Sequence, residues 1–154
     1  MSNIPPENRD IHRPHSQEKA IIEQEQSNLS ATNERSVHKM YDAERRRDIK
    51  AWAALWHEEG RQTFPFSPTA TVAGRDQMVA ATQRKFNLRP PYEIRVVTEP
   101  FANPYRVLAR LHLIVPDGEP SEVCIWCIFH FDHDGMITEV EEMLDTAAAP
   151  ALPH

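Results

Sequence analysis

The chain has 154 residues, of which 40% are hydrophobic, and its formal net charge is −6. This length fits one domain with its own core, and the acidic balance argues against a nucleic-acid-binding protein, which normally presents a basic face. The sequence has no apolar run of about 18 residues that would predict a membrane span, and its N-terminus lacks the apolar stretch of a secretory signal. We therefore expect a soluble, cytoplasmic protein that binds neither nucleic acid nor membrane.

The two ends of the chain differ in composition from the part between them. Residues 1–30 are polar and rich in proline, and they predict a flexible tail or a helix that becomes ordered only against a partner. The pattern of a folded domain extends over residues 31–146. Residues 147–154, AAAPALPH, form a short C-terminal tail.

The first half of the domain has helical patterning. Apolar residues at helical spacing predict a first helix from Ala31, with Val37 and Met40 on its buried face. The charged run over residues 44–48 predicts a solvated connection to the next helix, although its three arginines leave an anion site as an alternative. The other predicted elements of this half are a second helix from Asp48 to Gly60, a strand over residues 61–66 and a third helix from Gly74 to Phe86.

The second half has the patterning of strands. They are predicted over residues 92–98, 105–115, 123–131 and 136–144. The last two form a hairpin, because Asp134-Gly135 between them is a strong turn signal. Its first strand is apolar on both faces, which indicates that both faces are covered. Helices followed by strands predict an α+β fold with a mainly antiparallel sheet.

Cys124 and Cys127 have the C-x-x-C spacing that is typical of redox and metal sites. Side chains three residues apart in a strand point to opposite faces, however. We therefore expect the two thiols to diverge and to act as small, structural side chains.

Four short motifs follow one another in a characteristic order. They are Asp48-Ile49-x-Ala51-Trp52, then Ala54-Leu55-Trp56-His57-Glu58-Glu59-Gly60, then Gly74-Arg75-Asp76, and finally Phe129-x-Phe131-Asp132-x-Asp134-Gly135-x-Ile137. In this order and spacing the chain resembles the SnoaL-like group of the nuclear transport factor 2 / ketosteroid isomerase superfamily. The resemblance covers about Asn33 to Thr146.

The resemblance implies a fold and an assembly. The fold is a cone-shaped, curved, mainly antiparallel sheet wrapped by three helices, called nuclear transport factor 2-like or cystatin-like, around a deep apolar pocket. Many members dimerise through the outer face of the sheet. Trp126 and Ile128 would then face a partner copy, and Cys127 and Phe129 the pocket. An apolar outer face exposed on a monomer would favour aggregation, so we expect a homodimer.

The family includes isomerases, polyketide cyclases, dehydratases, epoxide hydrolases, phenazine-biosynthesis proteins and binding modules, so fold alone does not define activity. Ketosteroid isomerases match poorly. Residues 63–66, where their general base would lie, contain no carboxylate, and Cys127 occupies the place of their acid. Tyr41 falls near their oxyanion-binding tyrosine.

Limonene-type epoxide hydrolases use an Asp-Arg-Asp set. Arg110 and His112 match its first pair, with histidine in place of aspartate, and Asp145 matches the end of the last strand. Arg110 and His112 project from the same face of their strand. Their apolar neighbours Ala109 and Leu111 favour a solvated or interface position for them, whereas the family's inward positions favour the pocket. We expect the pocket.

Glu142 matches a pocket glutamate on the last strand of phenazine-biosynthesis A/B proteins. It alternates with Val140 and Leu144, which should face inward. A carboxylate on an apolar face indicates a functional group with a raised pKa. The alternative is a twist or bulge that lets Glu142 reach water.

These observations favour a cofactor-independent acid/base enzyme, an isomerase, cyclase or dehydratase (lyase), that acts on a hydrophobic small molecule in a biosynthetic pathway. The expected catalytic residues are His112, Asp145, Glu142, Arg110 and Tyr41. The expected pocket-lining residues are Trp52, Trp56, Phe64, Phe66, Phe86, Cys127 and Phe129. No metal site or cofactor is predicted. The alternatives are a non-catalytic binding or accessory protein and an epoxide hydrolase.

Overall fold

A computed structural model describes residues 13–116 and 122–144. The helices are α1 (Arg13–Arg45), α2 (Ile49–Ala53) and α3 (Arg75–Leu88), and a 3-10 turn spans Pro68–Ala70. The strands are β1 (Trp56–Thr63), β2 (Val72–Ala73), β3 (Glu93–Pro100), β4 (Arg106–Ile114), β5 (Glu122–Phe131) and β6 (Ile137–Leu144).

The strands form one curved, unclosed sheet of six strands in the order β2-β1-β6-β5-β4-β3. Only the β1–β6 pair is parallel among the pairs of the described strands. Helix α1 packs on β3 and β4, and α3 packs on β1. The core lies between these helices and the inner face of the sheet. The predicted fold class, α+β with a mainly antiparallel sheet and three helices, is confirmed.

Helix α1 begins earlier than predicted, at Arg13 instead of Ala31. Its C-terminal half is amphipathic, with Val37 and Met40 buried, and Asn33 is anchored by a 2.9 Å hydrogen bond from its Nδ2 to the carbonyl of Pro104. Residues 16–28 are exposed, and the helix there has no buried face. The sequence pattern could not place the start because a helix without a buried face has no apolar period.

Helix α2 is shorter than predicted. It ends at Ala53, and the chain enters β1 at Trp56. Gly60 therefore does not end a helix but lies in β1, where an added Cβ would come within 3.0 Å of the Trp56 ring and of the His57 carbonyl oxygen. The four-residue spacing of Trp52 and Trp56 suits one helix, but here a helix and the next strand each direct one indole into the core.

The hairpin of β5 and β6 follows the prediction closely. The Asp132 carboxylate accepts hydrogen bonds from the backbone N–H groups of Asp134 and Met136, each 2.9 Å long, and Gly135 adopts a positive φ of 78°. Residues of β5 alternate, with Cys127 buried and Trp126 49% exposed. Trp126 therefore faces outward, as the family resemblance implied.

The two cysteines diverge as predicted. Cys124 is exposed on the outer face and Cys127 is buried, and both are free thiols. Within the described residues, no helix is long and apolar enough to cross a membrane.

Candidate functional site

Two adjoining cavities lie beneath the inner face of the sheet, with volumes of about 300 Å³ and about 40 Å³. Four polar side chains border both cavities: Gln62, Thr82, Lys85 and Glu142. The wall of the larger cavity is mostly apolar and includes Phe64, Val72, Leu113, Ile125 and Leu144. The site is thus an apolar pocket with a small polar end.

Glu142 is the carboxylate at the junction of the two cavities. Strand β6 directs it inward, two residues after the buried Val140, and it lies across from Cys127 on β5. The Gln62 side chain donates a 2.6 Å hydrogen bond from Nε2 to Glu142 Oε2. Burial raises the pKa of Glu142, and the nearby charge of Glu44 adds to this, although the charges of Lys85 and Arg89 and the Gln62 hydrogen bond act in the opposite direction. Such a carboxyl can hold and release a proton closer to neutral pH than an ordinary glutamate.

A second carboxylate, Glu44, lies beneath the small cavity and is only 8% exposed. Its Oε1 accepts hydrogen bonds from Lys85 Nζ at 2.5 Å and from the Tyr92 hydroxyl at 2.8 Å. Burial, followed by the charge of Glu44, raises the pKa of Tyr92 and keeps this hydroxyl protonated. Lys85 therefore compensates the charge of Glu44 locally, and its ammonium group is engaged in this ion pair.

Tyr41 lies on α1 and borders the small cavity. Its hydroxyl lies 3.4 Å from Cys127 Sγ, and its ring packs edge-on against Phe129 at 5.8 Å. Burial raises the pKa of both Tyr41 and Cys127. The Tyr41 hydroxyl therefore stays protonated and donates its hydrogen bond to Cys127 Sγ, and the Cys127 thiol remains un-ionised.

Trp52 and Trp56 also border the small cavity and pack against each other at 5.3 Å between ring centroids. Both rings are almost fully buried. Neither indole N–H has a hydrogen-bond partner among residues 13–116 and 122–144. Buried N–H groups are normally paired, and a cavity of this size can accept a water molecule or a ligand oxygen.

Arg110 and His112 do not reach these cavities, so the expectation that they face the pocket is wrong. Strand β4 buries Ala109 and Leu111 on its inner face and turns the intervening residues outward. Arg110 donates a 2.7 Å hydrogen bond to Glu99, and His112 Nδ1 lies 2.6 Å from Glu122.

The simple two-residue alternation of apolar side chains on β4 was therefore the better guide to the direction of Arg110 and His112 than the match to epoxide hydrolases. Asp145, the third residue of that match, lies outside the described residues.

The aromatic residues predicted for the pocket divide into two groups. Phe64 and Phe66 border the larger cavity, and Trp52 and Trp56 border the smaller one. Phe86, Cys127 and Phe129 are buried in the core and border neither cavity, because neighbouring side chains cover them.

The sequence reasoning missed Gln62, Glu44 and Lys85, although two of them follow a visible pattern. Glu44 lies seven residues after Val37, on the same buried helical stripe, and Lys85 lies seven residues after Met78. The prediction of a solvated connection over residues 44–48 overlooked that Glu44 lies on the apolar face of α1. The signal for Gln62 is weaker, because β1 has a register shift just before it.

Within the described part of the chain, no three His, Cys, Asp or Glu side chains are grouped so that they could hold a metal ion. The pocket side chains offer proton transfer at Glu142 and hydrogen-bond donation from the two unpaired indole N–H groups.

The fold and the pocket together define a class of proteins, the nuclear transport factor 2-like proteins, in which a curved sheet and its helices enclose an internal cavity. A family model described as SnoaL-like domain matches residues 37–140. The chain therefore belongs to the SnoaL-like family.

Several solved structures share the fold. A candidate polyketide cyclase from Xanthomonas campestris pv. campestris is 21% identical, with a TM-score of 0.66 over 80% of this chain and 98% of that one. A phenazine biosynthesis-related protein from Pseudomonas aeruginosa is 18% identical, with a TM-score of 0.66 over 84% and 90% of the two chains. A candidate ketosteroid isomerase from Kribbella flavida is 18% identical, with a TM-score of 0.62 over 75% and 78%. No curated protein matches the sequence. At these identities the similarity defines the fold and not the activity.

Proposed function

We propose that the protein is a cofactor-independent acid/base enzyme, an isomerase, cyclase or dehydratase, that acts on an apolar small molecule of a biosynthetic pathway in the cytoplasm. The observation that supports this most is Glu142, a carboxyl group with a raised pKa on the wall of an apolar cavity. A group of this kind suits general acid/base catalysis near neutral pH. The proposal shifts the acid/base role from His112 to Glu142.

The step that fits the site is proton transfer next to a carbonyl group. The Glu142 carboxylate removes a proton from a carbon atom adjacent to the carbonyl, and the electron pair moves onto the carbonyl oxygen. That oxygen accepts hydrogen bonds from the unpaired indole N–H groups of Trp52 and Trp56 at the polar end, and Tyr41 can join them only by giving up its hydrogen bond to Cys127 Sγ. The protonated Glu142 then returns the proton to the same carbon or to a conjugated one. Gln62 is a positioning residue, because its hydrogen bond fixes Glu142 Oε2.

Hydrogen exchange tests this step without knowledge of the natural substrate. A panel of apolar cyclic ketones and 1,3-diketones is incubated with the protein in D₂O, and deuterium uptake at carbon is followed by NMR and mass spectrometry. We expect catalysed uptake by the wild type and a loss of about 100-fold or more in Glu142→Gln. Glu141→Gln is the matched control, because this neighbour bonds to His130 at 2.7 Å and borders neither cavity. If deuterium uptake were as fast with Glu142→Gln as with the wild type, the assignment of Glu142 as the acid/base group would be refuted.

The alternative is a binding or accessory protein that uses the same pocket without turnover. It predicts that panel compounds bind, as detected by saturation-transfer NMR, while deuterium uptake stays at the rate of the buffer. The epoxide hydrolase alternative is weakened, since Arg110 and His112 lie on the outer face of the sheet.

We also propose that the outer face of the sheet forms a homodimer. Val97 on β3 and Trp126 on β5 are 51% and 49% exposed, and both flank Arg110 in one row across the sheet. Exposed apolar side chains in one row favour contact with a second copy. Light scattering should give a dimer mass for the wild type and a monomer mass for Trp126→Glu. Leu88→Glu, which alters an exposed apolar residue on α3, should remain dimeric. A monomeric wild type would refute the proposal.

A further inference from the structure

The positively charged side chain of Arg89 borders the larger cavity and has no role in the proposed acid/base step. It follows the last residue of α3 and borders the cavity together with Glu142. Arg89 is the C-cap residue, with an extended backbone, and it comes four residues after Lys85 and seven after Thr82, which border the same cavity.

The backbone around Arg89 is held by another arginine. Arg47, at a positive φ of 55°, donates one hydrogen bond to the Phe86 carbonyl at 2.5 Å and another to the Arg89 carbonyl at 2.7 Å. These bonds satisfy carbonyl groups at the end of α3, where the helix dipole is negative. The Arg89 guanidinium is therefore not needed to cap its own helix.

The carboxylates near Arg89 have hydrogen-bond partners other than Arg89. Glu44 accepts hydrogen bonds from Lys85 and Tyr92, and Glu142 accepts one from Gln62. Among residues 13–116 and 122–144, the Arg89 side chain has no ion pair and no hydrogen bond. Although its charge lowers the pKa of Glu142, an arginine that borders a mostly apolar cavity and makes no ion pair is a favourable partner for a ligand anion, because its planar donors match a carboxylate.

We propose that the ligand of this pocket is an apolar carboxylate, an aromatic or alicyclic acid whose carboxylate group pairs with Arg89 while its body lies along the apolar wall. This rests on the proposed function for the place of the reaction, since the carbonyl group would then lie at the polar end beside Glu142. The ligand has two polar ends, and the pocket has a matching group for each.

The test compares two probes that differ in charge and little else, 2-naphthoate and 2-naphthamide, by isothermal titration calorimetry. The wild type should bind 2-naphthoate about tenfold more tightly than 2-naphthamide. Arg89→Gln should remove this preference and leave the affinity for 2-naphthamide unchanged. Arg89→Lys, which keeps the charge but not the planar pair of donors, should give an intermediate preference.

The matched control is Arg84→Gln, which removes an exposed arginine from the same helix and should change neither affinity. Folding of each variant is checked by circular dichroism; Arg89→Gln should fold, because Arg47 bonds to the backbone of residue 89 and not to its side chain. Equal affinities of the wild type for the two probes, or no binding of either, would overturn the proposal. So would a preference that persists in Arg89→Gln.

The outcomes also separate this proposal from the acid/base function. Loss of deuterium uptake in Glu142→Gln together with no preference for 2-naphthoate would support the enzyme and refute the carboxylate ligand. A preference for 2-naphthoate that depends on Arg89, with no catalysed uptake of deuterium by the wild type, would support the ligand class and refute the enzyme.

Discussion

Replacing Glu142 with glutamine should make the protein more stable at neutral and basic pH. Among the described residues, Gln62 is the only hydrogen-bond partner of Glu142, at Oε2, and the other oxygen borders the cavities. The amide oxygen of glutamine can accept the same bond without a buried charge. An under-satisfied buried polar atom costs about 1–3 kcal/mol, and because water can enter the cavity we expect a gain near the lower end, about 1 kcal/mol.

The direction of the Glu142 pKa shift determines how the stability difference between the two proteins changes with pH. The pKa of Glu142 in the folded protein lies above the ordinary value of 4.5. A raised pKa means that the wild type loses stability as pH rises through the folded pKa, whereas Glu142→Gln does not. Urea unfolding of both proteins should therefore show similar free energies at about pH 4 and a more stable variant at about pH 8.

Glu139→Gln is the matched control, on the same strand. Burial raises the pKa of Glu139, but hydrogen bonds from Arg61 at 2.8 Å and from Thr63 at 3.1 Å outweigh this and lower it overall. Its contribution is present at neutral pH and is lost as pH falls, so Glu139→Gln should destabilise the protein at about pH 8. If Glu142→Gln were destabilised at this pH in the same way, the assignment of an uncompensated buried carboxyl would be wrong.

Three further predictions concern the surroundings of the pocket. Lys85→Met leaves the buried Glu44 without its cation, and because Lys85 is 29% exposed we expect a loss of about 2 kcal/mol in urea unfolding; an unchanged free energy would contradict the pairing. Arg47→Ala removes both hydrogen bonds to the end of α3 and should cost about 2 kcal/mol, with a smaller loss for Arg47→Gly, which tolerates the positive φ. Iodoacetamide should modify the native protein at the exposed Cys124 and spare Cys127, whose burial also raises its thiol pKa; equal labelling by mass spectrometry would refute the assigned strand faces.

The sequence was sufficient for the sheet-forming half of the fold because alternation has a short period and the turn chemistry is local. Parity predicted that Trp126 and Cys127 lie on opposite faces of β5, and the family resemblance predicted that Trp126 is outward and Cys127 inward. The same rule, applied to β4, would have placed Arg110 and His112 outward. The error arose where a match to a family motif was given more weight than the alternation of Ala109 and Leu111.

The helical half was harder to predict, for two physical reasons. Residues 16–28 of α1 are exposed and have no buried apolar face, so this part of the helix depends on propensity, which leaves no periodic pattern. The boundary between α2 and β1 depends on the pairing of Trp56 with Ile137, 81 residues later in the chain. Such tertiary contacts override local spacing.

The candidate site, too, was only partly predictable from the sequence. Glu142 could be predicted because an inward carboxylate breaks an apolar alternation. Its partner Gln62 lies on another strand, brought alongside only by the parallel pairing of β1 and β6. The Glu44–Lys85 pair joins two helices and depends on how these pack, although each residue lies on a recognisable stripe. Sequence patterns thus indicate which residues face inward, and the fold decides which of them meet.

The most direct test of the account is the titration of Glu142 itself. Its side-chain carboxyl carbon is observed by ¹³C NMR from acid to neutral pH, and the resonance is assigned by its absence in Glu142→Gln. We expect a midpoint above 4.5, because burial disfavours the carboxylate and the charge of Glu44 lies nearby. A midpoint at or below 4.5 would contradict it, since Glu142 would then be an ordinary solvated carboxylate.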